Sequence, residues 1–172
     1  MPQGFLARVA GKTKQVFAIL TSAGAGDSGK IPALDASGRL DNSFMPLGIG
    51  AATNEAVASE ALGAGKFVNF FDDAGTFSCR LADNSNGRPA HGFVTSAVSS
   101  AATATVYPLD GVNANLTGLT VGAEYWLGTA GGVISTALDP TDAGNANKVC
   151  QSLGEAKSAT ELITDDRGYV IL

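Results

Sequence analysis

The first residues that could do chemistry are Gly24-Ala-Gly-Asp-Ser-Gly29-Lys30, which fit the GxxxxGK frame of a phosphate-binding loop. That frame works when a Ser or Thr follows the lysine to hold magnesium and a helix opens there with its N–H groups on the phosphates. Here Ile31 follows, and Pro32 opposes the helix. No buried strand precedes it, so the segment reads as a Gly-rich linker. His91 is the only histidine, set between Arg88-Pro-Ala90 and Gly92-Phe-Val94. A nucleophilic triad needs an imidazole with an orienting acid and a nucleophile, and no such set can be assembled. His91 therefore reads as a half-exposed residue where a loop meets a strand. Asp72-Asp73, Asp83 and Asp165-Asp166 lie in turn-like contexts, without the spacing of a calcium loop. Cys79 and Cys150 sit in alternating apolar contexts that suit buried thiols, with a single disulfide as the alternative. No CxxC or Cys/His cluster is present to hold zinc. The expectation is a chain with no catalytic residues, no cofactor and no metal site.

What remains is architecture. The chain has 172 residues, 45% of them hydrophobic and 16% charged. A soluble domain carries roughly 25% charged residues, so much of this surface is expected to lie against partners. The charge is uneven. Residues 1–50 hold Arg8, Lys12, Lys14, Lys30 and Arg39 against Asp27, Asp35 and Asp41, a net of +2. The remainder holds 6 basic and 13 acidic residues, a net of −7. That balance argues against nucleic acid as a partner, because phosphate contacts need clustered Lys and Arg. No apolar run has the length of a membrane helix. Arg8, Lys12 and Lys14 before Val16-Phe-Ala-Ile-Leu20 imitate a signal peptide, but five apolar residues fall short of the roughly 7–15 that one needs.

Residues 1–54 read as an extended N-terminal arm and linker. Phe5 to Leu20 carries apolar residues without a clean period, Asp35-Ala-Ser-Gly38 is a turn, and Asp41 to Met45 forms a short helical turn stopped by Pro46. Residues 55–172 read as the body. Strands are expected at 66–71, 76–81, 92–95, 103–107, 124–127, 133–136, 148–153, 160–163 and 169–172, with hairpin turns at Asp72-Asp-Ala-Gly75 and Ala130-Gly-Gly132. In the pair Tyr125-Trp126, alternation sends one ring inward and one outward. Asn54 to Leu62 could form a short helix. The expected fold class is all-β: a compact barrel or sandwich of about eight or nine short strands preceded by the arm.

Several pieces resemble proteins of tailed-phage virions. Gly29-Lys30-Ile31, Leu34-Asp-Ala-Ser-Gly-Arg-Leu-Asp41 and Ser43-Phe-Met-Pro46 resemble a segment found before fibre-like and decoration-type domains. Gly87-Arg-Pro-Ala-His-Gly-Phe-Val94, Thr105-Val-Tyr-Pro108, Leu119-Thr-Val-Gly-Ala-Glu-Tyr-Trp-Leu-Gly128 and Gln151-Ser-Leu-Gly-Glu-Ala156 extend the likeness to capsid decoration (cement) proteins and to head and tail fibre domains. The resemblance covers roughly residues 28–164 and implies a non-enzymatic virion protein. On the decoration reading it sits on the outer capsid surface, made in the host bacterial cytoplasm, and stabilises the shell as a homotrimer with the major capsid protein as partner. On the fibre reading it is a head or tail fibre or spike component with a receptor- or glycan-binding β-domain. Phe5, Arg8, Lys12, Lys14, Phe17, Leu20, Phe44 and Met45 are the expected contacts with the capsid or a sister subunit.

Overall fold

The computed structural model describes residues 4–45 and 52–172. The chain divides into two compact units, Met1–Ala51 and Ala52–Leu172.

In the first unit, β1 (Gly4–Val9) and β2 (Lys12–Phe17) form an antiparallel hairpin. Ala10 and Gly11, at φ 51° and 76°, form a tight turn with two left-handed residues, whose twist matches that of the strands. The arm is thus paired over residues 4–17 rather than simply extended. The absence of a clean period is explained by the register. Phe5, Ala7 and Val9 share one face with Val16, while Leu6 shares the other with Phe17, so both faces carry apolar residues. A short 3-10 turn, Asn42–Phe44, stands where the short helical turn is expected; Pro46, its expected stop, lies outside the described residues.

The second unit contains β3 (Asn54–Ala58), β4 (Phe67–Asp73), β5 (Thr76–Leu81), β6 (Gly92–Phe93), β7 (Thr103–Val106) and β8 (Val112–Asn113). It continues with β9 (Glu124–Leu127), β10 (Val133–Ile134), β11 (Val149–Cys150), β12 (Ser152–Ala156), β13 (Leu162–Thr164) and β14 (Val170–Ile171). Two five-stranded sheets run in the orders β6-β4-β5-β3-β7 and β10-β9-β12-β13-β8, and β11 pairs with β14 as a third. The all-β class stands, but the body is several sheets and not one barrel of eight or nine strands. Many of its strands are only two residues long, too short to show a period of two.

Asn54–Ala58 is a strand, within the stretch Asn54 to Leu62 that could form a short helix. Its Ala and Glu residues favour helix locally, but Ala56 and Ala58 are buried on one face and the strand pairs on both edges. One partner is β7, antiparallel, and the other β5, parallel with Val57 opposite Ser78. The expected hairpins are present: β4 returns as β5 through Ala74-Gly75, and β9 as β10 around Ala130-Gly131. Both Ala-Gly pairs have positive φ, as in the arm.

Two apolar clusters hold the body together. Phe67, Phe93, Leu119, Tyr125, Leu127, Val149, Leu153 and Leu162 form the larger one, drawn from both five-stranded sheets. Ala56, Ala58, Leu62, Val68, Cys79, Val94, Ala104 and Val106 form the second. Adjacent Phe67 and Val68 enter different clusters, so the first sheet is covered on both faces there. Its three alanines leave room for the chain at Leu62 and Val98, which bridge each other. Gly154, at φ 132° beside a register shift in β12, admits no substitute: a Cβ there would meet the Ile163 carbonyl oxygen at 1.9 Å.

Candidate assembly surface and the cleft at His91

The described part of the first unit, residues 4–45, contains no buried side chain. Yet it is locally well specified. Ile19 bridges to Pro32, and Ser43 Oγ accepts the Ser22 N–H at 2.8 Å. Asp35 Oδ1 accepts from Ser37 N (2.8 Å) and Arg39 N (2.9 Å), with Gly38 at φ 74°, so the Leu34–Asp41 stretch is closed by an Asx turn. Asp41 caps the Asn42–Phe44 turn through the Ser43 N–H at 2.9 Å. Bonds from Ser43 hold the Asp41 carboxyl below its ordinary value.

The same geometry settles the phosphate-loop frame. Asp27 fills the loop: its Oδ2 accepts the Ala23 N–H at 2.6 Å and its Oδ1 takes Lys30 Nζ at 2.5 Å. The Lys30 bond, with the Ala23 bond behind it, lowers the Asp27 pKa. A carboxylate pairs with the lysine of the frame, so anion binding there is opposed.

The hairpin register divides the expected contact residues. Phe5, Lys12 and Lys14 lie on one face, while Arg8 and Phe17 lie on the other. Leu20, Phe44 and Met45 lie beyond the hairpin, Phe44 being half-buried. Leu6 (75% exposed), Ile31 and Leu34 are exposed apolar residues that sequence reasoning left out. Phe5, Leu6 and Ala7 run consecutively, so no alternation in Gly4–Val9 marks Leu6 for one face. Arg8, Lys12, Lys14 and Arg39 form no salt bridge among the described residues, whereas Lys30 does. The result is a cationic ribbon, apolar on both faces.

In the second unit the tempting acids serve the fold. Asp83 Oδ1 accepts from Ser85 N and Oγ (2.9 and 2.6 Å), and its Oδ2 reaches the Ala130 N–H at 2.9 Å, bracing the β9–β10 turn. Burial is the largest influence on its pKa and raises it. The Ser85 and Ala130 bonds together with Arg88 outweigh that, so the net shift is downward. Asp72 closes its hairpin turn through Gly75 N at 2.9 Å. Glu124 and Glu155 stand directly opposite each other on β9 and β12, an arrangement that repels. Arg167 relieves it, reaching Glu124, Glu155 and Asp165 at 3.1, 3.1 and 2.9 Å. Cys79 is buried and Cys150 half-buried, and both are free thiols. Tyr125 points inward, its hydroxyl accepting the Thr120 N–H at 2.9 Å, while Trp126 is half-exposed.

His91 has a structural task. Its Nδ1 accepts the Phe70 N–H at 2.9 Å, taking the bond that another strand would take at that edge of β4. Its ring stacks on Phe70 at 5.8 Å between centroids and 18° between planes. Burial lowers its pKa, and Asp166 pulls the other way. Beside it, fully buried Gln151 clamps Ala90, accepting its N–H at 2.7 Å and donating to its carbonyl at 2.9 Å. Phe70, Ala90, His91, Gln151, Asp166, Gly168 and Tyr169 line an open cleft of about 600 Å³. Among the described residues no group of three His, Cys, Asp or Glu side chains is placed to hold a metal.

No protein-family model and no curated protein matches the chain. Among solved structures, a phage protein is similar in part. It is the N base of the head fibre gp8.5 of bacteriophage phi29, at 14% identity and a TM-score of 0.44, covering 66% of this chain and 93% of that one. At that TM-score the likeness transfers no role.

Proposed function

We propose that the chain is a non-enzymatic structural subunit of a tailed-phage virion, attached through its N-terminal unit. The observation that carries this is a β-hairpin unit with turns and caps in place and, among its described residues, no buried side chain. An isolated two-stranded hairpin is marginal in water. Leu6, Val9, Phe17, Leu20, Ile31, Leu34 and Met45 remain exposed. Burying them against a partner offers on the order of 5–10 kcal/mol of apolar transfer before the costs of association. The unpaired cations of the hairpin would orient that contact towards an acidic surface.

Within that role, the first reading is a head or tail fibre or spike component, with the second unit displayed. It is supported by the resemblance of Leu34–Pro46 to fibre-type segments, whose Asp35 and Asp41 make the turns that the segment requires. A receptor- or glycan-binding task for the β-domain belongs to this reading. The second reading is a decoration protein on the outer capsid surface, homotrimeric and bound to the major capsid protein. It is favoured by the net −7 of residues 51–172 against the +2 of the arm, which suits an outward-facing body on a clamping arm.

The test uses purified particles. The full chain should co-purify with virions, and a chain lacking residues 1–51 should stay folded but fail to bind. Hundreds of copies per particle would select decoration, and a handful or tens would select fibre. Equal binding by the truncated chain would refute attachment through the arm.

A further inference from the structure

The described lining of the cleft at His91 comes from the second unit, and it has a distinctive wall chemistry. Its rings come from Phe70, His91 and the half-exposed Tyr169, and its one ionised wall group is the Asp166 carboxylate. Among the described residues no lysine or arginine lines it. Asp166 uses one oxygen, Oδ1, to accept the Gly168 N–H at 3.1 Å. It forms no salt bridge among the described residues, because the neighbouring Arg167 is committed to Asp165, Glu155 and Glu124. Gln151 spends its amide on Ala90 and has no role towards a ligand.

These walls favour a cationic ligand over an anionic or an apolar one. An anion would meet Asp166 within a body of net charge −7, with no basic group to receive it. A neutral apolar ligand would strip water from the carboxylate without replacing its bonds. A cation on an apolar stem satisfies both walls: its charge pairs with Asp166 and lies against aromatic faces, whose π-systems attract positive charge. His91 does not compete as a cation at neutral pH, since its Nδ1 is occupied by the Phe70 N–H and burial favours the neutral ring.

The structure assigns to this cleft the binding of one organic cation, an ammonium or guanidinium group on an apolar stem, held between Asp166 and the rings of Tyr169 and His91. The inference does not depend on the virion reading. The cation could be a free small molecule or a Lys or Arg side chain of another protein, and choline and N-acetyl-arginine amide represent the two sources.

The experiment is a titration of the isotope-labelled full chain followed by NMR. Choline or N-acetyl-arginine amide should shift the amides of Phe70 and Gly168 saturably. Choline alone would indicate a free ammonium ligand, and the arginine amide alone a side chain; both outcomes support the site. 3,3-Dimethylbutan-1-ol, the uncharged counterpart of choline, should bind at least about tenfold more weakly. Asp166→Asn keeps the bond to Gly168 and should weaken cation binding by about tenfold or more without altering the melting temperature. Tyr169→Leu should weaken it as well. Equal binding of choline and the alcohol, an unaffected Asp166→Asn variant, tighter binding of methyl glucoside, or no saturable shift with either cation would each overturn the assignment.

Discussion

Replacing Gln151 by methionine isolates one buried polar tie. Gln151 is 2% exposed and Ala90 3%. The side-chain amide satisfies both the N–H and the C=O of Ala90, at 2.7 and 2.9 Å. Methionine keeps the length and most of the volume and removes both bonds. Each buried backbone group left without a partner costs about 1–3 kcal/mol. The two together cost about 2–6 kcal/mol, partly offset by the more apolar side chain, which leaves a net of about 3 kcal/mol. Domains have about 5–15 kcal/mol of stability in all. For a body of this size, 3 kcal/mol lowers the melting temperature by about 10–15 °C. Thermal unfolding followed by circular dichroism and calorimetry reads this directly. Gln151→Glu adds a sign. A buried glutamate must be protonated to donate to the Ala90 carbonyl, so its folded pKa is raised. The stability of that bond is present below the unfolded glutamate value, about 4.3, and is lost as pH rises through the folded value. The deficit of Gln151→Glu relative to wild type should therefore shrink in acid. If Gln151→Met melts within about 2 °C of wild type, the reasoning that this tie supports the core fails.

Gly154→Ala should be among the most damaging single changes, at about 3 kcal/mol or more, because the new methyl meets backbone at a positive φ; denaturant unfolding of the variant checks it. His91 sets a pH dependence. Its folded pKa lies below the unfolded value near 6.5, so its contribution is full above that value and is lost as pH falls through it towards the folded value. His91→Gln should flatten the melting temperature across that window, and an unchanged slope would count against the Phe70 bond. Burial raises the Cys79 pKa, so a thiol reagent should label Cys150 well before Cys79 in the native protein and both together in denaturant.

Much of the body was legible as residues. Ala74-Gly75 and Ala130-Gly131 encode left-handed turns, and a turn of that kind sets the hairpin it closes. Hence β5 and β9 match their expected bounds, residues 76–81 and 124–127. The division of charge between arm and body was also plain, as was the failure of the phosphate-loop frame at Ile31. The arm hairpin was less visible, because apolar residues on both faces erase the alternation that marks a half-buried strand.

Other features were decided only in three dimensions. Asn54–Ala58 has helical local preferences and becomes a strand because β5 and β7 offer it edges on both sides. The cleft at His91 joins Phe70, Gln151, Asp166 and Tyr169, and no local pattern links positions so far apart. Turn dihedrals and alternation are properties of neighbouring residues, so the sequence determines them by itself. Strand partners, buried clamps such as Gln151, and the walls of a cleft depend on which distant segments meet, and only the packed core decides that.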